Sequence, residues 1–334
     1  VNAGPARVLE SLRRAGGESR SGETISAEQG VSRAQVWKHV QTLRAHGYII
    51  EAEAGDGYRL VSVPDRLYPE EILPGLSTRW LARDIRYFDT TDSTNRIALE
   101  LAQGGAEHGT TVIADAQTAG RGRLGRSFFS PPYTNLYTSI VLRPRVTTAE
   151  APAWILASAV AVAETLAEAV PAPGDVEIKW PNDVLLGGRK SCGILMELGA
   201  EATRVAYLVL GIGVNLNVDR ERFPDEFRAT ATSLSSHLGR PVERVSFARR
   251  LYENLEPVLD TCAREGFDGV LPRFQSHFRM VGRRVRVRDL DGGERAGTVA
   301  GIDRDGALRL APDGDGDEQR IVAGDVTLAK EQPA

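Results

Sequence analysis

The sequence predicts an α+β chain in three parts: an N-terminal winged helix-turn-helix (residues 1–63), a central domain of strands and helices (64–281) and a small C-terminal β-barrel (282–334). Three observations carry that expectation. Residues 6–62 read as three helices and a short hairpin. Strands and helices then alternate around a loop holding three glycines and three arginines. From Gly282 onward short strands are separated by turns at 291–293, 303–306 and 313–317. At 334 residues the chain has room for a core in each part. A net charge of −4 argues against a whole-molecule grip on nucleic acid, so any DNA contact must come from a local basic face. No apolar run is expected to span a bilayer, and no signal-type segment follows the first charges. Cys192 and Cys262 lack partners at metal-ligand spacing, which predicts two core thiols in a reducing cytoplasm.

Val8, Leu9 and Leu12 give the first helix an apolar face, and Gly30 ends a short second one. Ser32 caps the third, RAQVWKHVQTLRAHG, whose inner face is Val36, Val40 and Leu43. Its outer side carries Arg33, Gln35, Lys38, His39, Gln41 and Arg44 without an acid, which suits a helix in a major groove. The hairpin opposes that reading. Glu51, Glu53 and Asp56 stand against the single base Arg59 and would repel flanking phosphates. On these residues, DNA binding and a purely protein-contact role both stay open.

After a linker from Val63 to Pro69, a strand at Ile85–Phe88 runs into Asp89-Thr90-Thr91-Asp92-Ser93-Thr94-Asn95 and a helix to Gln103. One of these side chains is enough to cap the helix; the surplus is what a small polar ligand would use. Thr111–Ala114 is a strand entering the arginine loop and Leu136–Leu142 a strand leaving it. Gly120–Gly125 satisfy G-x-G-x-x-G, but Pro131 and Pro132 block the helix that a dinucleotide fingerprint requires. Arg121, Arg123 and Arg126 on glycine-rich backbone suit a loop that folds over a phosphate or carboxylate, and equally a hairpin tip with solvated arginines.

Residues 150–169 read as a buried helix, and Ile178–Trp180 as a strand that Pro181 stops. Asn182 and Asp183 sit at its end, and Gly187-Gly188 turns back toward Lys190 and a strand over Gly193–Leu198. Lys179, Asp183 and Lys190 thereby converge on one edge. They are either a structural ion pair or charges balancing a carboxylate and a phosphate that react beside each other. In the strand Val205–Asn217, Gly211 and Gly213 permit close approach and Asn215 follows on their face. Val245–Arg264 reads as an amphipathic helix.

Five blocks in order, Asp92-Ser93-Thr94-Asn95, Gln117 with Gly120-Arg121-Gly122-Arg123, Lys179-Trp180-Pro181-Asn182-Asp183, Lys190 with Cys192-Gly193-Ile194-Leu195, and Gly211-Ile212-Gly213-Val214-Asn215, resemble bacterial biotin protein ligases of the bifunctional kind that are also biotin operon repressors. The likeness covers nearly the whole chain. It implies a winged helix-turn-helix, a mixed-sheet catalytic domain related to class II aminoacyl-tRNA synthetases, and an SH3-like barrel. The implied activity is biotin--[acetyl-CoA-carboxylase] ligation: biotin and ATP, with Mg²⁺, give biotinyl-5′-AMP, and a lysine of the biotin carboxyl carrier protein takes the biotinyl group.

By that resemblance Ser93, Thr94, Asn95, Gln117, Arg121, Gly122, Arg123, Lys190 and Gly193 bind biotin, whose ureido ring needs paired donors and acceptors. Gly120, Arg121, Arg123, Arg126, Phe128, Lys179, Asn182 and Asn215 meet ATP or the adenylate, Phe128 standing where some members carry a tryptophan that packs on the adenine. Lys190, Arg121 and Arg123 are the catalytic set, Asp183 the candidate for holding the metal or orienting the lysine, and Arg33, Gln35, Lys38, Gln41 and Arg44 the DNA contacts. The implied partners are the carrier protein, operator DNA and a second copy of the chain in a ligand-promoted homodimer. Lipoate and octanoate ligases share the catalytic fold but need a slot for a plain aliphatic chain. A small-molecule-sensing transcription factor without ligase activity would explain the first helices and leave the arginine loop and lysine without a purpose.

Overall fold

The structure, a computed structural model, describes residues 3–53, 57–289, 292–314 and 316–328, and divides into two compact units, one ending at Pro74 and the other beginning at Gly75. In the first, α1 (Ala3–Arg14) and α2 (Gly22–Gln29) pack on α3 (Arg33–Ala45). The expected inner residues Val8, Leu9, Leu12, Val36, Val40 and Leu43 are all buried. Ser32 Oγ accepts the Gln35 N–H at 3.2 Å, so α3 begins at its cap. Strands β1 (Ile49–Glu53) and β2 (Gly57–Ser62) form the antiparallel wing, where Glu51 pairs with Arg59 at 2.5 Å. Asp56 lies outside the described residues, as do the Glu53 side chain and the turn residues Asp291 and Asp315.

The stretch expected to be a linker belongs to this unit. Helix α4 (Pro69–Ile72) brings Glu71 beneath Tyr48 and Arg13, and the hydroxyl and the guanidinium both donate to its Oε1. Burial and that carboxylate push the Tyr48 hydroxyl far above its usual range. The compact boundary therefore follows Pro74, later than the expected 63/64.

The second unit is built on a seven-stranded mixed sheet of β3 (Ile85–Phe88), β4 (Thr111–Ala114), β5 (Leu136–Leu142), β6 (Val176–Lys179), β7 (Asp183–Leu186), β8 (Arg189–Glu201) and β9 (Arg204–Val214). The spatial order is β3-β4-β5-β9-β8-β7-β6, with β3 and β4 parallel and the other pairs antiparallel. One face carries α5 (Thr94–Gln103), whose Ala98 and Ala102 pack on Val112, Val141 and Val209. Helices α6 (Pro152–Ala169) and α9 (Arg244–Glu265) pack on each other, with the short α7 (Asp225–Arg228) and α8 (Leu234–Leu238) between them in sequence. Residues alternate across a strand, so Thr138 points away from α5, and its hydroxyl meets Tyr252 of α9 at 2.9 Å. Helix α6 corrects one expectation: it is long and apolar enough by composition to cross a membrane, but 67% of it is buried inside the protein, where it forms core.

After α10 (Leu271–His277), the strands β10 (Arg284–Arg288), β11 (Glu294–Ile302), β12 (Leu308–Pro312), β13 (Gln319–Ile321) and β14 (Asp325–Leu328) form an antiparallel sheet in the order β13-β12-β11-β10-β14. This C-terminal part lies within the same compact unit as the central sheet. Trp180 fastens it, since its indole N–H donates to Gly306 O at 3.0 Å while its ring is buried. Under the arginine loop lies a fully buried ion pair, Arg244 Nη1 to Asp115 Oδ1 at 2.8 Å, supported by the Tyr87 hydroxyl donating to Asp115 Oδ2 at 2.6 Å. Both cysteines are free and buried; burial pushes Cys192 well above the usual thiol range and Cys262 up to about 12, so neither offers a thiolate.

Candidate active site

A cavity of about 440 Å³ opens on the α5 face of the sheet. Its floor is made by glycines. Gly193 on β8 pairs with Gly213 on β9, and Leu195 pairs with Gly211, so Gly193, Gly211 and Gly213 share one face. The missing side chains are filled by neighbours: a Cβ on Gly211 would lie 2.0 Å from Asn95 Oδ1, and one on Gly213 would lie 2.6 Å from the Phe128 ring. The close approach inferred for these glycines is thus an amide at one and an aromatic ring at the other.

The polar wall comes from the start of α5. Ser93 occupies the N-cap position without a side-chain capping bond. The cap is supplied across the site by Gln117, whose Oε1 accepts from Thr94 N at 2.8 Å and from Thr94 Oγ1 at 3.1 Å, while its Nε2 donates to Ser130 Oγ at 2.9 Å. Ser139 Oγ, one residue from Thr138 and therefore on the site face, lies 2.8 Å from Thr94 Oγ1 and 2.6 Å from Asn95 Oδ1. Ser93, Thr94 and Asn95 are buried, so this is an ordered recognition wall with one capping hydroxyl to spare.

The charged wall depends on a break in the sheet. Leu185 pairs with Lys190 and Val184 with Cys192, leaving Ser191 as an extra residue in β8. In a regular strand Lys190 and Gly193, three positions apart, would point to opposite faces; the bulge turns Lys190 onto the face of Asp183 and Gly193. Lys190 Nζ then meets Asp183 Oδ1 at 2.6 Å, with Lys179 Nζ 3.9 Å from Asp183 Oδ2. Each arginine of the loop finds a different anchor. Arg121 Nη1 faces Glu197 Oε1 at 3.7 Å, Arg123 Nη1 donates to Asn182 Oδ1 at 3.3 Å, and Arg126 pairs with Asp325 of β14. Burial lowers the Arg123 pKa, against the pull of the nearby carboxylates of Asp325 and Asp183. The loop itself is a hairpin, closed by Phe128 N to Gly120 O at 2.8 Å and Gly122 N to Arg126 O at 2.7 Å.

Of the residues expected from the sequence, Ser93, Thr94, Asn95, Gln117, Arg121, Gly122, Arg123, Arg126, Phe128, Asn182, Asp183, Lys190 and Gly193 line this cavity. Three do not. Gly120 is turned against Phe128 O and Ser130 Oγ, Lys179 sits behind Asp183, and Asn215 is buried with its amide spent on Asn135 and Thr232 O. Asn215 braces the loop and lines a smaller neighbouring cavity with Phe128 and Lys190. Asp183 takes the lysine-orienting role rather than the metal role, because each of its oxygens already faces an ammonium group. Sequence reasoning missed Ser139 on β5, Glu197 on β8, Phe227 on α7 and Asp325 on β14, each of which reaches the site from outside the five motif blocks.

In the first unit, α3 keeps Arg33 and Lys38 exposed, with Gln41 half-buried beside them. Arg44 is committed elsewhere: its Nε and Nη2 donate to Ile50 O at 2.9 and 2.6 Å, clamping the wing to the helix. Gln35 Nε2 lies 3.3 Å from His39 Nε2, and the His39 ring packs against Gly4, so His39 faces α1. Trp37, 53% exposed, joins the outward face.

Three family models match in the order of the parts: an HTH domain over residues 6–59, the Biotin/lipoate A/B protein ligase family over 87–215 and the Biotin protein ligase C terminal domain over 281–328. The chain is 39% identical over 303 residues to the bifunctional ligase/repressor BirA of Bacillus subtilis, covering 91% of this chain and 92% of that one. It is 33% identical over 313 residues to the protein of the same name from Escherichia coli, with 94% of each covered. A biotin protein ligase from Aquifex aeolicus, solved in complex with biotin and ATP, superposes with a TM-score of 0.63 at 26% identity, covering 74% of this chain and 99% of its own. With helix-turn-helix, ligase sheet and C-terminal barrel each matched in place and relatives alike over nine-tenths of the length, the chain belongs to the family of bifunctional biotin protein ligases and repressors.

Proposed function

We propose that the chain joins biotin to the biotin carboxyl carrier protein of acetyl-CoA carboxylase in two steps, and represses transcription through its N-terminal unit. In the first step a biotin carboxylate oxygen attacks the α-phosphorus of ATP, the bond to the β-phosphate oxygen breaks, and biotinyl-5′-AMP and pyrophosphate form. In the second, a neutral lysine amine of the carrier attacks the acyl carbon, AMP leaves and the amine gives up a proton. The observation that carries this reading is the juxtaposition, in one glycine-floored cavity, of the hydroxyl and amide wall with Lys190 and the loop arginines.

An anion attacking an anion needs cations to offset the repulsion, and that is the work assigned to Lys190, Arg121 and Arg123. Asp183 orients the Lys190 ammonium. Ser93, Thr94, Asn95 and Gln117 are assigned to the ureido ring, and Phe128, lying on Gly213, to the nucleotide base. The hairpin of residues 120–128 shields the reactive anhydride from water. Mg²⁺ would arrive on the ATP phosphates, keeping waters as its other ligands. The test is biotin-dependent exchange of labelled pyrophosphate into ATP, followed by transfer to an isolated carrier domain; a protein inactive in both would sink the reading.

Operator binding is assigned to Arg33, Lys38 and Gln41 on α3. A single recognition helix reads a palindrome only as a two-fold dimer, and we assign that assembly to the ligand-bound form. Sedimentation of the adenylate-loaded protein, with and without unmodified carrier domain, checks it. The cell compartment that holds both carrier and operator is the bacterial cytoplasm.

A further inference from the structure

Glu197 joins the two walls of the cavity. It lies on β8 two residues past Leu195, the partner of Gly211, and so on the site face. Its Oε2 accepts from Asn95 Nδ2 at 2.9 Å and its Oε1 faces Arg121 Nη1 at 3.7 Å. A carboxylate can only accept, so the Asn95 atom turned toward it must be the amide nitrogen. The Asn95 oxygen is thereby directed at Ser139 Oγ over the bare backbone of Gly211. Arg121 is different in kind: half exposed, at a distance longer than a good hydrogen bond, it is held weakly enough to be exchanged.

We propose that Glu197 is a positioning residue with two separable actions in the ligase reaction. One oxygen fixes the orientation of the Asn95 amide in the biotin wall. The charge of the carboxylate holds Arg121 beside the cavity and competes with the adenylate for it, so that Glu197 sets how long the adenylate is retained. The inference rests on the ligase reading above, because only an anionic intermediate gives Arg121 a second partner.

Glu197→Gln keeps an acceptor for Asn95 and removes the charge. The expected result is a KM for biotin unchanged within about twofold, with release of preformed, labelled biotinyl-AMP roughly two- to fivefold slower, as the loss of a weak competing ion pair allows. Glu197→Ala also strands the buried Asn95 N–H, and its KM for biotin should rise roughly tenfold. Arg121→Ala should release adenylate faster, and adding Glu197→Gln to it should change nothing further, since the charge then has no arginine to compete for. Wild-type release from the Gln variant, or a KM in that variant as high as in the Ala variant, would overturn the proposal. If the wild-type protein makes no adenylate from biotin and ATP, the ligase reading itself fails and takes the inference with it.

Discussion

Gly211 is where one carbon atom should matter most. Gly211→Ala would place a Cβ 2.0 Å from Asn95 Oδ1, and the backbone beneath is held by β5 and β8 on either side, so the amide must leave. A displacement of that kind costs about 1–3 kcal/mol, which predicts a KM for biotin raised roughly ten- to a hundredfold with folding intact. Isothermal titration with biotin alone checks it; unchanged affinity would remove Asn95 from the biotin wall. Lys190→Ala should behave otherwise. Its side chain is 38% exposed, so the variant should fold while pyrophosphate exchange falls by about 10²–10³. Near wild-type exchange would take Lys190 out of the mechanism.

At the scale of elements, the turn before β3 is held by one carboxylate. Glu256 of α9 accepts from the backbone N–H groups of Arg79, Trp80 and Leu81, all within 2.9–3.0 Å. Burial raises its pKa, but the three N–H groups together outweigh that and hold it below the ordinary carboxylate value. A group whose folded pKa is depressed contributes stability above its unfolded pKa, about 4.3 for Glu, and loses it as pH falls through the lower folded value. Glu256→Gln should therefore melt below wild type at pH 7, with the gap closing under about pH 4. A Tm difference independent of pH would contradict the assignment. The pair of Asp115 and Arg244, both fully buried, anchors the strand that feeds the arginine loop. Arg244→Met should destabilise the fold by about 3–5 kcal/mol, because it leaves a carboxylate buried without its cation; urea titration measures this, and a loss under 1 kcal/mol would refute it.

For the molecule as a whole, DNA affinity should be modest and its salt dependence shallow. Each exposed base on α3 that neutralises a phosphate adds about 0.9 to the slope of log affinity against log salt. Arg33→Ala and Lys38→Ala should each reduce that slope by about one. Arg44→Ala should leave the slope alone and loosen the wing, since its guanidinium is spent on Ile50 O. In the wing, Arg59 is already paired with Glu51, so it adds no free cation beside the duplex. Gel shifts with the protein's own upstream DNA, biotin and ATP across a salt series decide this. No adenylate-dependent complex at low salt would leave only the ligase.

Much was legible from the residues alone, because it depends on local periodicity and local chemistry. The caps at Ser32 and Gly30, the apolar faces of α1 and α3, the strands flanking the arginine loop and the five motif blocks are each set by residues within a few positions of one another. What only the tertiary structure decided depends on register and on which strands become neighbours. Ser191 as an unpaired residue turns Lys190 to the site face, and no local signal in the sequence announces that bulge. The neighbouring strands β5, β9 and β8 set Ser139, Gly211 and Glu197 side by side around Asn95, although Ser139 and Glu197 belong to no motif. Tertiary contacts likewise spent Arg44 on the wing and decided between the two roles open to Asp183 by setting Lys190 and Lys179 against its oxygens. A polar side chain advertises what it can bind; which partner reaches it depends on the fold around it.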